Sequence, residues 1–234
     1  MNIVRNIAGE GLIRYGNYNA DTRVLGPGKR FALWLQGCCA ECPGCVAPEF
    51  CPFDGGRLIS IETLAEKMIA DEDTEGITVS GGEPFLQADK LCALLGIVKS
   101  ARPDTSVIIY SGFTYQQLRE SGDKNIAMIL DSYVDVLIDG RYIEELNDNR
   151  GLRGSSNQQV IFLTDKYVGN EEFLSDRKRL GHFVTEKNGG SLYMIGVPSK
   201  ETQKLRSSFE KMSEQKKVAN KTELRNEHGG NKWN

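Results

Sequence analysis

Long apolar runs are absent from this chain. None of its 234 residues lie in a stretch approaching the roughly 18 apolar residues that a membrane span needs, so a membrane role is not expected. Histidine is scarce. The two present, His182 and His228, stand far from the clustered cysteines, and no second Cys-x-x-Cys completes a two-pair zinc site. Neither a GxGxxG nor a Walker A stretch occurs, which argues against nucleotide hydrolysis. The opening MNIVRNIAGEGLIRYG has no secretory apolar segment or A-x-A-like cleavage site, so the cytoplasm is the expected compartment. In a reducing compartment, clustered cysteines point to metal ligation or redox chemistry before disulfides. A basic surface is lacking too. Net charge is −3, and residues 200–234 hold nine Lys/Arg against five Asp/Glu, leaving −7 on residues 1–199. An acidic body gives phosphates no basic face, so no direct nucleic-acid binding is expected. The mixed charges of 200–234 read as a solvated, poorly ordered tail, with one helix near 201–217.

What remains is a globular composition, 39% hydrophobic and 26% charged, long enough for one sizeable α/β domain. Runs that suit strands alternate with runs that suit helices. FALWLQ (31–36), GITVSGGEP (76–84), SVIIYSG (106–112), VDVLIDG (134–140), QVIFL (159–163) and SLYMIGV (191–197) read as strands. Between them, IETLAEKMIAD after Ser60, DKLCALLGIVKSAR (89–102) before Pro103, TYQQLRES and NIAMILDSY (125–133) have helical patterning, with Ser60 or Thr63 as the first cap. Such alternation predicts a mostly parallel sheet of βα units, whose chemistry gathers at the C-terminal strand ends. QGCCAECPGC, SGGEP, YSGF and IDGR each follow a strand-like run, which predicts that they share one site.

QGCCAECPGC (36–45) holds four of the six cysteines, and Cys38, Cys42 and Cys45 read as Cys-x-x-x-Cys-x-x-Cys with Cys39 spare. Three thiolates this close suit zinc or iron–sulfur. Either ordinarily takes a fourth ligand, for which Cys39 and Cys51 are the candidates in a zinc site; three on a cluster leave one iron open, the mark of a catalytic centre. In SGGEP (80–84) two glycines let a ligand approach the backbone, their N–H groups suit a carboxylate, and Glu83 suits an amine. Cys51 reads as a bystander with a redox role as the alternative, Cys92 as a core thiol, and His182 as a satisfied histidine.

Taken together, LGPGKR (25–30), GCCAECPGC (37–45), SGGEPF (80–85), YSGFTYQQL (110–118), VDVLIDGRYIEEL (134–146) and RGSSNQQVI (153–161) resemble, in order, the activating proteins of anaerobic ribonucleotide reductases within the radical S-adenosylmethionine superfamily. The resemblance implies a partial (β/α) barrel of the radical SAM type over residues 1–199, with core motifs at 25–161, followed by the charged tail 200–234. It implies a 4Fe-4S cluster on Cys38, Cys42 and Cys45, with S-adenosylmethionine on the fourth iron. Gly81, Gly82 and Glu83 would hold the methionine end, and Ser111, Asp139 and Arg141 the ribose or methionine region. The implied activity is reductive cleavage of S-adenosylmethionine to a 5′-deoxyadenosyl radical that makes a glycyl radical on a large partner subunit. A flavodoxin or ferredoxin would be the electron donor. Two departures stand out: Ala40 and Val46 replace residues common in the compact members, and about 70 residues follow the last shared stretch. A radical enzyme acting on its own small-molecule or peptide substrate, and a non-catalytic metal-binding module, are the alternatives.

Overall fold

The computed structural model describes residues 11–179, 181–185, 192–205 and 208. The apolar runs form strands buried on both faces, as expected of a sheet sandwiched between layers. β2 (Arg30–Leu35), β4 (Gly76–Gly81), β5 (Ser106–Tyr110) and β6 (Val136–Asp139) pair in parallel. β1 (Leu12–Thr22) runs antiparallel to both β2 and β3 (Arg57–Ser60), and β7 (Gln159–Phe162) antiparallel to β6. The seven-stranded order is β3-β1-β2-β4-β5-β6-β7. Among the described residues the sheet is mixed, not mostly parallel, and does not close on itself, with β3 and β7 at its edges; the partial (β/α) barrel expected from the resemblance is seen here as a mixed α/β sheet. Strands β1 and β3 escaped the sequence reading because RYGNYNADT is polar and, past Tyr15, pairs on one side only, with β2, where little burial imprints a pattern.

The helices form where local signals agree with burial. α1 (Ile61–Ile69) starts on Ser60, whose hydroxyl accepts from Thr63 N at 3.1 Å, a cap that contributes about 1 kcal/mol. α2 (Ala88–Ala101) ends where Pro103 forbids continuation. α3 (Tyr115–Glu120) carries a Thr114/Gln117 capping box, and Asp123 caps α4 (Lys124–Ser132). Leu64, Met68, Leu91, Leu94, Leu95 and Ile129 build the main core against Leu33, Ile77, Val79, Val107 and Leu137.

Over the opposite face lie Leu152, Tyr167 and Leu174, the last on α5 (Glu171–Ser175). SLYMIGV leaves the main sheet altogether. Among the described residues β9 (Leu192–Gly196) pairs only with β8 (Gly181–Thr185), and Ile195 and Val197 bury against Val24, Leu25 and Ala32. His182 lies on β8; residues 200–205 are helical, while the rest of the expected tail helix and His228, apart from Ser208, fall outside the described residues.

The LGPGKR stretch is explained by Arg30, which is fully buried. Its guanidinium donates to Thr78 Oγ1 (2.7 Å), Ser106 Oγ (2.9 Å), Tyr167 Oη (2.9 Å) and the Pro27 and Ile77 carbonyls (3.2 and 2.6 Å). It thus staples the N-terminal ends of the parallel strands to the layer above them. Burial pulls its pKa below the ordinary value.

Candidate iron–sulfur site at the C-terminal strand ends

Because β2, β4, β5 and β6 are parallel, the segments that follow them emerge at one edge. The structure therefore brings QGCCAECPGC, SGGEP, Ser111–Gly112 and Asp139–Arg141 together, as their positions in the sequence predict. A cleft of about 520 Å³ between Glu75, Arg102, Thr105, Lys166 and Tyr167 opens at the opposite edge.

The cysteine loop is pinned at its base by backbone. Gly37 N donates to Phe50 O and Cys38 N to Cys51 O, both at 2.9 Å. Phe50 stacks on Trp34 at 6.1 Å, and Gln36 Nε2 reaches the carbonyls of Glu49 (3.2 Å) and Pro52 (2.8 Å). Gln87 Nε2 in turn donates to Gln36 O at 3.2 Å. Gln36 and Gln87 carry no motif signal; only their tertiary partners reveal them. At the far end, Cys45 N closes a turn on Cys42 O at 3.1 Å, and Gly44 adopts φ +67° where a side chain would run into Glu144.

Cys38, Cys42 and Cys45 are all half-buried, whereas Cys39 is exposed. Ala40 N donates to Cys38 Sγ at 3.4 Å, and burial pushes the Cys38 thiol above its ordinary pKa. Cys51 is not the detached bystander that spacing suggests, because its sulfur lies 3.9 Å from Cys45 Sγ. Burial, then the neighbouring Cys45 and Cys38 sulfurs, raise the Cys51 thiol as well. Among the described residues, no three His, Cys, Asp or Glu side chains converge on a single-ion position. The donor set is all sulfur, with a backbone N–H aimed at one of its members. That chemistry fits an iron–sulfur cluster.

SGGEP behaves differently from its sequence reading in one respect. The N–H groups of Gly82 and Glu83 donate to Leu35 O and Gly37 O, both at 2.8 Å, so they serve the cysteine loop and not an added carboxylate. The glycines are needed because the two backbones touch. Gly81 sits at φ +106°, and a Cβ on Gly82 would strike the Gly37 carbonyl and come within 2.8 Å of Phe50 O. Glu83 is 2% exposed, and its carboxylate accepts from Phe85 N (3.0 Å), Gly112 N (2.7 Å) and Ser111 Oγ (3.1 Å). Burial raises its pKa despite these three donors.

Ser111 is buried and also accepts from Phe113 N at 3.0 Å, so its hydroxyl is a link between Glu83 and the β5–α3 turn. Asp139 is buried with both oxygens occupied by backbone, Oδ2 by Tyr115 N (2.6 Å) and Oδ1 by Gln159 N (3.2 Å). It braces α3 and β7 at the rim. The exposed Arg141 reaches back to the carbonyl of Ala40 in the cysteine loop. Cys92 is partly buried against the main core.

Residues 24–161 match the family model described as a 4Fe-4S single cluster domain. The chain is 35% identical over 158 residues to an anaerobic ribonucleoside-triphosphate reductase-activating protein of Vibrio cholerae, covering 63% of this chain and 97% of that protein. A protein of the same name from Salmonella typhi is 31% identical over 159 residues (64% and 99% of the two chains), and one from Enterobacteria phage T4 is 30% identical over 146 (61% and 89%). The family match ends before β8 and β9. With the cysteine loop, the SGGEP turn and the β5 and β6 termini at one sheet edge, the chain belongs to the family of anaerobic ribonucleoside-triphosphate reductase-activating proteins, built on a 4Fe-4S single cluster domain.

Proposed function

We propose that this protein is a radical S-adenosylmethionine activase that installs a glycyl radical on the large subunit of an anaerobic ribonucleotide reductase. The observation that supports it most is the meeting, at the ends of four strands, of a three-cysteine loop with the buried Glu83–Ser111 pair. Cys38, Cys42 and Cys45 would hold the cluster. When bound, a reduced 4Fe-4S cluster supplies one electron to the sulfonium of S-adenosylmethionine, breaking its S–C5′ bond to give methionine and a 5′-deoxyadenosyl radical that takes a hydrogen atom from a glycine Cα.

The chain's own residues bind and orient. Glu83, fixed by Ser111 Oγ and two backbone N–H groups, presents a carboxylate to the amine of S-adenosylmethionine without reorganising. Gly81 and Gly82 allow that turn to lie directly against Gly37, and Asp139 and Arg141 shape the opposite rim. We take the compartment to be the reducing cytoplasm, which suits thiolate ligation, and the electron donor to be a flavodoxin or ferredoxin. Among the described residues no helix is long and apolar enough to cross a membrane.

Anaerobically iron-loaded protein should cleave S-adenosylmethionine to methionine and 5′-deoxyadenosine with dithionite, and Cys42→Ala should lose both bound iron and cleavage while Cys39→Ala keeps them. Retention of cleavage by Cys42→Ala would sink the ligand assignment. Incubation with the reductase large subunit should give a glycyl doublet by electron paramagnetic resonance. One observation favours a second reading, a substrate other than a glycyl radical protein: Ile195 and Val197 pack against the sheet face that carries Trp34 and Tyr110. Cleavage without a doublet for any partner would select it.

A further inference from the structure

Residues 38 to 51 hold five cysteines, and a sulfur–sulfur contact joins Cys45, an expected ligand, to Cys51, which lies outside the motif and also has the Cys38 sulfur beside it. Cys45 Sγ and Cys51 Sγ are 3.9 Å apart. Their backbones are held in place independently. Cys51 N closes a turn on Pro48 O at 3.2 Å, Cys51 O accepts from Cys38 N at 2.9 Å, and Cys45 N is tied to Cys42 O at 3.1 Å. Both thiols are half-buried, and Cys51 Sγ also faces Ala47 O at 3.9 Å. A bond between them requires that gap to close to about 2.0 Å by rotation of the side chains.

We propose that Cys45 and Cys51 form a reversible disulfide in the cluster-free protein, the oxidant being a low-molecular-weight disulfide of the glutathione type. One protein sulfur attacks the oxidant, forming a mixed disulfide and releasing one small thiol. The second protein sulfur attacks the first and expels the other small thiol. Two protein thiols lose two electrons and two protons, and the oxidant takes both up as two small thiols, so the exchange balances. The S–S bond parks Cys45 at the reversible end of the oxidation ladder, short of the sulfinic and sulfonic acids that do not return. Cys51 thereby acquires a role that ligation does not give it. Reduction restores Cys45 for loading.

The full-length protein, stripped of iron by a chelator and treated with oxidised glutathione, tests this. Titration should show the loss of two of its six thiols. Cleavage after Arg, Lys and Glu separates the cysteines into FALWLQGCCAE (31–41), CPGCVAPE (42–49) and FCPFDGGR (50–57), so non-reducing mass spectrometry should find the last two joined. The joined species should persist in Cys42→Ser and vanish in Cys45→Ser and Cys51→Ser. Joining of FCPFDGGR to FALWLQGCCAE, glutathione adducts without a cross-link, or a statistical mixture of linkages would each overturn the proposal. Iron-loaded protein treated alike should resist the cross-link. Equal cross-linking there would instead remove Cys45 from the cluster ligands while leaving the disulfide standing.

Discussion

The Ser111 hydroxyl donates to Glu83 Oε1 at 3.1 Å, joining the segments that follow β5 and β4 although 28 residues separate them. Both groups are buried, so the serine is one of three donors that make a carboxylate tolerable there.

Ser111→Ala should therefore destabilise the protein by about 1.5–3 kcal/mol, the range for a hydrogen bond to a charged group. Urea unfolding of the cluster-free protein measures this. If Glu83 meets the amine of S-adenosylmethionine, the same change should weaken its binding in iron-loaded protein, and Ser111→Thr should restore part of both. A variant as stable as wild type would show that the hydroxyl is not holding the carboxylate.

Glu83 also sets a pH dependence. Burial keeps its folded pKa above the ordinary 4.5, so the folded state holds this proton more tightly than the unfolded chain. The associated stability is complete below 4.5 and is lost as pH rises through the folded value. Relative to Glu83→Gln, which has no such proton, wild type should lose unfolding free energy across that window and run parallel above it. Paired urea titrations over a pH series read the difference, and a constant offset would contradict the assignment.

Gly82→Ala places a methyl group against the carbonyls of Gly37 and Phe50, both of them backbone. Neither can swing aside like a side chain, so the cysteine loop must shift. We expect a loss of roughly 1–3 kcal/mol or more, seen as a lowered melting temperature, together with reduced iron uptake by the protein that still folds. Normal iron content in a stable variant would mean that the contact between the two turns is dispensable.

Arg30→Lys probes the opposite end of the strands. A lysine offers donors from one point and cannot span Thr78, Ser106, Tyr167 and the Ile77 carbonyl. Leaving several buried partners unmet should cost roughly 3 kcal/mol or more. Because the site lies at the other edge, iron bound per folded molecule should stay unchanged. A fall in stability and iron together, in proportion, would place Arg30 in the site's support after all.

The helices and central strands were legible because their signals are local. Ser60 before an amphipathic run, Pro103 after one, and the Thr114/Gln117 capping box each specify an end, and the apolar runs of β4, β5 and β6 specify burial on both faces. The site was legible in outline for the same reason, since each motif follows a strand. What escaped was either polar and only partly buried, such as β1, or dependent on distant pairing. β7 reads as one more strand, but nothing in QVIF says that it runs antiparallel.

By itself the sequence determined which residues carry the chemistry: three cysteines in a fixed spacing, two glycines and a glutamate after a strand, and the family to which that pattern belongs. Only the tertiary structure decided how those residues are employed. It turned the Gly82 and Glu83 amides onto the cysteine loop, gave both Asp139 oxygens to backbone, linked Ser111 to Glu83, and brought Cys51 to Cys45. The physical reason is that spacing fixes which atoms are available along one chain. Hydrogen-bond satisfaction in a buried strand-end cluster is settled between chain segments, where every donor must find its acceptor at once.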